Sequence, residues 1–84
     1  MNSEEIQNFL DKHELPKGKY LKIQFKKRDA IFGLFVKDRD YNDLKSKNFW
    51  RIVTWTHFEE YHKSNNLNLA KIFSGSEFSK LSVV

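Results

Sequence analysis

Leu21, Ile23 and Phe25 alternate with Lys22, Gln24 and Lys26, the cleanest period-two pattern in the chain. The alternation predicts a half-buried β-strand over residues 20–27, apolar on one face and basic on the other. Lys27-Arg28-Asp29 is a tight connection, and residues 30–36 read as the returning strand of a hairpin. Gly33 inside that strand marks a bend or a close backbone approach, because glycine weakens a regular strand. Ahead of the hairpin, Ser3 caps a first helix with Glu4 and Glu5 in the turn where carboxylates suit the helix dipole. Ile6, Phe9 and Leu10 follow at helical spacing as one narrow apolar stripe, and Pro16 and Gly18 stop the helix. A helix so short must dock to persist, and its stripe reads as a lid over the strands.

Residues 37–48 form a polar stretch with Asp38, Asp40, Asn42 and Asp43, side chains that favour turns, and read as a loop. Residues 49–58, Phe-Trp-Arg-Ile-Val-Thr-Trp-Thr-His-Phe, are the densest run of aromatic and β-branched residues and predict a central strand. One face carries Trp50, Ile52, Thr54, Thr56 and Phe58; the other carries Phe49, Arg51, Val53, Trp55 and His57. Large apolar groups on both faces imply a strand held between a core and a second covering layer. Thr56-His57-Phe58-Glu59 also fits a capping box, so a helical turn through Tyr61 and His62 competes with the end of that strand. After the break at Ser64-Asn65-Asn66, residues 67–73 read as a strand, with a short helix ended by Gly75 as the alternative. Ser74-Gly75-Ser76 turns the chain into a last strand over 78–84, with Leu81 and Val83 on one face.

The pattern therefore describes one mainly β (α+β) domain over residues 1–84: a helix at 3–14, then about five antiparallel strands in a small bent barrel spanning 19–84. The expected core is Phe9, Leu21, Ile23, Phe25, Phe32, Leu34, Trp50, Ile52, Ile72 and Leu81. With 84 residues and no cysteine, neither disulfides nor thiolate metal sites staple the fold. Absence of staples in so small a domain favours a reducing, cytoplasmic setting. No secretory leader and no apolar run of membrane-spanning length is visible, so no membrane partner is expected.

The net charge is +4, and six basic residues lie between Lys17 and Arg28 with no acidic one among them. Such a stretch is ordinarily a solvated hairpin face. As a binding surface, Lys22, Lys26, Lys27 and Arg28 beside Tyr20 have the chemistry for phosphates and base stacking. Asp38, Asp40 and Asn42 fail as a calcium loop: Asp43 stands where glycine is required and Phe49 where a bidentate glutamate is required. His57, Glu59, Glu60 and His62 lack the spacing that puts two histidines on one helical face. Ser74 and Ser76 are not in a nucleophile elbow, and no phosphate-cradling glycine loop is present. Neither a metal, a cofactor nor a catalytic role is expected.

Two stretches resemble the Sm-like (Hfq-like) family of small RNA-associated barrels. Ile31-Phe32-Gly33 with Asp40 and Asn42 is similar to the first Sm signature, in which glycine bends the second strand and the Asp and Asn lie in a loop facing RNA. Ile72-Phe73-Ser74-Gly75 with Phe78 and Leu81 is similar to the second, although Ser74 replaces the arginine, Asn42 comes one residue early and the bacterial Lys-His pair is missing. The resemblance implies an SH3-like or Sm-like barrel. Two functions follow as expectations: an interaction module contacting a protein partner or itself through Trp50 and Trp55, or single-stranded RNA binding through Lys22, Lys26, Lys27, Arg28 and Asn42.

Overall fold

A computed structural model describes residues 1–13 and 20–83. Helix α1 (Ser3–Lys12) is followed by β1 (Leu21–Phe25), β2 (Ile31–Phe35), α2 (Tyr41–Ser46), β3 (Phe49–Thr54), α3 (Phe58–Ser64), β4 (Lys71–Ser74) and β5 (Phe78–Val83). Single 3-10 turns at Trp55–His57, Leu67–Leu69 and Gly75–Glu77 link β3 to α3, α3 to β4, and β4 to β5. The strands form one antiparallel sheet in the order β4-β3-β2-β1-β5. No described helix is long and apolar enough to cross a membrane.

A helix followed by five antiparallel strands is what the hydrophobic pattern dictates, but the sheet does not close into a barrel. Its end strands, β4 and β5, are joined by a 3-10 turn and form no ladder with each other. Side chains close the interior instead. Phe73 of β4 lies 6.0 Å, ring to ring, from Phe25 of β1. In a flat sheet those strands, three spacings apart, would be separated by about 14 Å. The sheet therefore curls around its aromatic filling, with Phe25 edge-on to Phe78 at 5.3 Å and Phe35 edge-on to Trp50 at 5.8 Å.

Register explains which residues fill the interior. Leu21 faces Gly33, Ile23 faces Ile31 and Phe35 faces Ile52, so these residues share the concave face. Ile6 of α1 is fully buried there, and Phe9 and Leu10 pack beside it, so the helix is indeed docked on the strands. Its N-cap is Asn2, one residue before the expected Ser3, in a reciprocal capping box with Glu5. The end of the expected helix, residue 14, lies outside the described residues, as do residues 19 and 84 at the expected barrel limits.

Gly33 occupies the concave face because only a missing side chain fits: a Cβ there would sit 2.6 Å from Ile52 Cγ2 and 3.1 Å from Ile23 Cδ1. Phe32 and Leu34 consequently point to the opposite, convex face, where Phe32 is 36 % exposed and Leu34 half-buried, contrary to their expected place in the core. The same parity puts Ile72 outside and Phe73 inside, since Phe73 pairs with Trp50 and Ile72 with Arg51. Among the described residues, Ile6, Val36, Val53 and Phe78 complete the buried set. Val53 is on the convex face yet fully buried, because the 3-10 turn after β3 and helix α3 lie against β2 and β3. The expected covering layer is thus present, although it is made by the chain that leaves β3: the strand ends at Thr54, short of Phe58.

Helix α2 stands within the stretch read as a loop. Tyr41 anchors it, edge-on to Trp50 at 6.0 Å with its hydroxyl donating to Gln7 Oε1 at 2.6 Å. Burial pushes the Tyr41 phenol above its ordinary pKa, against the opposite pull of that hydrogen bond.

Asn48, in the left-handed region at φ 61°, is a hub between α2, β3 and the β4–β5 turn. Its side-chain amide donates to the Met1 carbonyl at 2.9 Å and its Oδ1 accepts the Trp50 indole N–H at 2.9 Å. The Met1 nitrogen in turn donates to the carbonyls of Gly75 and Phe78. Among the described residues Asn65, at φ 53°, is the other left-handed non-glycine residue, and its side chain makes no hydrogen bond there. Asn65→Gly is expected to stabilise the domain by about 0.5–1 kcal/mol, because backbone strain is relieved and nothing is lost. Asn48→Gly relieves similar strain but orphans the indole N–H, and should destabilise by about 2 kcal/mol. Urea unfolding midpoints of the two variants, moving in opposite directions, check this pair.

Candidate functional site

The tip of the first hairpin is held in place from two sides. Beyond the β1–β2 ladder, a register shift between Gln24 and Phe25 adjusts β1 to β5. The Lys26 N–H then donates to the Glu77 carbonyl at 3.0 Å, tying the tip to the turn before β5. Between them lies a cleft of about 400 Å³ lined by Phe25, Lys26, Lys27, Arg28, Ser76 and Glu77. The Arg28 guanidinium carbon sits 4.8 Å from the centre of the Phe25 ring. Lys26, Lys27 and Arg28 are all exposed, and none forms an ion pair with a described carboxylate.

The other basic candidate on the hairpin is separate from this cluster. Lys22 is four residues back along β1, roughly 13 Å at 3.3 Å per residue. It is half-buried on the convex face, opposite Phe32 on one side and Ser82 on the other. Tyr20 belongs to that end too, with its ring 4.8 Å from Phe58 and 6.0 Å from Phe32. Asn42 is exposed on α2, which packs against β3 rather than the hairpin tip. Asp40, its companion in the first Sm-like stretch, is ion-paired with Arg51. The expected RNA-facing set is therefore divided among three places, and only Lys26, Lys27 and Arg28 share one.

The two tryptophans also part. Trp50 is 1 % exposed and belongs to the core, so it is corrected from contact candidate to structural residue. Its strand parity aims it at the concave face, where Phe35, Tyr41 and Asn48 enclose it. Trp55 is 61 % exposed in the turn after β3.

A second surface lies at the sheet margin. The Gly75 N–H donates to the Asn48 carbonyl, which sets the parity of the β3–β4 ladder. Hydrogen-bonded pairs then fall at Trp50–Phe73 and Ile52–Lys71, so the N–H and C=O of Ile72 and the N–H of Ser74 point away from β3, while the Ser74 C=O caps the 3-10 turn that follows. No described strand meets them. Beside this open edge Ile72 is 52 % exposed and Phe49 38 % exposed. Sequence reasoning placed Ile72 and Phe25 in the core and Phe49 on the second face of the 49–58 strand, weighed Ser76 only as a nucleophile, and passed over Glu77. The Ser74-Gly75-Ser76 turn was visible as a turn, but its position against the hairpin tip depends on β1 pairing with β5.

No family model, curated protein or solved structure matches this chain.

Proposed function

We propose that this chain is a non-catalytic interaction module that pairs edge to edge with another polypeptide strand through β4. The observation that carries the reading is the outward-facing N–H and C=O of Ile72 and N–H of Ser74, flanked by the exposed side chains of Ile72 and Phe49. An added strand satisfies those groups with main-chain hydrogen bonds while its own side chains cover the apolar pair. A second copy supplies a strand of the right kind, since β5 is six residues long and its outer margin is also unpaired among the described residues. Lys71 on β4 and Lys80 on β5 are the kind of charges that keep such edges from indiscriminate pairing. The Sm-like signatures support a small-sheet module of this type, and Trp55 offers a further exposed aromatic contact.

Ile72→Pro tests the reading, because proline at 72 removes an outward N–H and leaves the β3 ladder intact. Light scattering across a concentration series should give the wild type a mass rising above the 10.1 kDa monomer and the variant a constant monomer, with matching circular dichroism. A wild-type mass that stays monomeric throughout removes self-pairing.

A further inference from the structure

We infer that the hairpin-tip cleft is a seat for a nucleoside phosphate, with the phosphate on Lys26 and Lys27 and the base stacked on Arg28. The site is independent of the β4 edge. Three adjacent cations, none within ion-pair distance of a described carboxylate and with only Glu77 on the rim to offset them, repel one another, and a dianion or trianion placed among them relieves that repulsion. Simple charge does not account for the rest of the cleft. Its floor is the Phe25 ring, held edge-on against Phe78, and the Arg28 guanidinium lies over that ring. A guanidinium held on an aromatic face presents a second flat surface on which a planar heterocycle stacks. The volume of about 400 Å³ suits one nucleotide and falls in the ~300–1,000 Å³ range of small-ligand sites. The rim adds a hydroxyl from Ser76, whose Oγ is 2.8 Å from that of Ser74, and one carboxylate from Glu77. Glu77 is the group that accepts from a sugar hydroxyl or an exocyclic amine, which a bare anion lacks. The backbone bond between Lys26 and Glu77 fixes the two walls relative to each other, so the cleft is formed before the ligand arrives.

The same group reaches the cleft as a free nucleotide or as the 5′-terminal nucleotide of a strand. Amide NMR titrations of the whole chain with ADP, adenosine, pyrophosphate and a 5′-phosphorylated oligonucleotide separate these sources. ADP is expected to shift the amides of 25–28 and 76–77 in saturable fashion. Pyrophosphate should bind about tenfold more weakly, and adenosine should leave the spectrum unchanged. Lys26→Gln with Lys27→Gln should weaken ADP by about a hundredfold and abolish pyrophosphate binding. Arg28→Lys keeps the charge but removes the flat surface, so it should weaken ADP about tenfold and leave pyrophosphate unaffected. Saturation of the same amides by the oligonucleotide identifies a strand end as the source; saturation by ADP alone identifies the free nucleotide. No shift with millimolar ADP overturns the inference. So does equal binding of ADP and pyrophosphate that Arg28→Lys leaves unchanged, which would make the tip a plain anion patch.

Discussion

Gly75→Val is expected to lower the unfolding free energy by about 3 kcal/mol or more, enough to leave much of the domain unfolded under mild conditions. A Cβ at position 75 would overlap the Asn48 carboxamide and sit 2.5 Å from Ile6 Cδ1. Neither neighbour has room to yield. Ile6 is fully buried in the core, and the Asn48 side chain is held at both ends by the Met1 carbonyl and the Trp50 indole. Displacing Asn48 strands a donor in a part-buried setting, and displacing Ile6 pulls α1 from the sheet. A domain of this length has a total stability on the order of 4–13 kcal/mol, so the loss is a large fraction of the whole. Gly75→Ala should fall between valine and wild type, since it adds the overlapping Cβ alone. Urea titration followed by tryptophan fluorescence reads all three. Midpoints for alanine and valine within experimental scatter of the wild type would show that the Asn48 junction gives way freely.

Trp50→Ala should cost about 3–5 kcal/mol, the range for removing a large buried aromatic. The indole fills the space between Phe35 and Tyr41, which approach it edge-on at 5.8 and 6.0 Å, and its N–H satisfies Asn48. Losing it opens a cavity beneath α2 and frees the hub that α2 shares with the β4–β5 turn. Trp55→Ala is the matched control. Its ring is mostly in solvent, so the change in stability should stay within about 0.5 kcal/mol. Thermal melts by circular dichroism measure both. Equal melting temperatures for the two variants would contradict the assignment of Trp50 to the core and Trp55 to the surface.

How much of this was readable beforehand depended on whether a feature was local. The alternation through Leu21, Ile23 and Phe25 is a property of neighbours in the chain, and all three side chains are buried. The stripe of Ile6, Phe9 and Leu10, the close approach at Gly33 and the two apolar faces of β3 were legible for the same reason. Residues 55–58 misled because threonine and aromatic side chains favour strands wherever they occur, while the helical capping pattern at the same place pointed the other way. The turn and α3 prevail there because they cover Val53 and bring Phe58 onto Tyr20. Helix α2 has only Tyr41 and Leu44 to mark an apolar face, too little to outweigh the surrounding aspartates and lysines.

Ile72 and Phe73 are both apolar, and a shift of one position exchanges inside for outside. Only the partner strand chooses between them. The candidate cleft was half visible for a related reason: its three cations are consecutive in the chain, whereas Phe25, Ser76 and Glu77 meet them through a pairing that joins the first strand to the last.

That pairing governs the order of assembly. The β1–β5 ladder joins Leu21 to Val83, and Phe78 and Leu81 are among the most deeply buried side chains. A growing polypeptide that has emerged only as far as β4 thus presents an unfilled interior, with Phe25 lacking its edge-on partner Phe78 and Ile23 lacking Leu81 opposite it. Contacts between such distant residues make for slow folding, and the domain acquires its interior only when the last strand arrives.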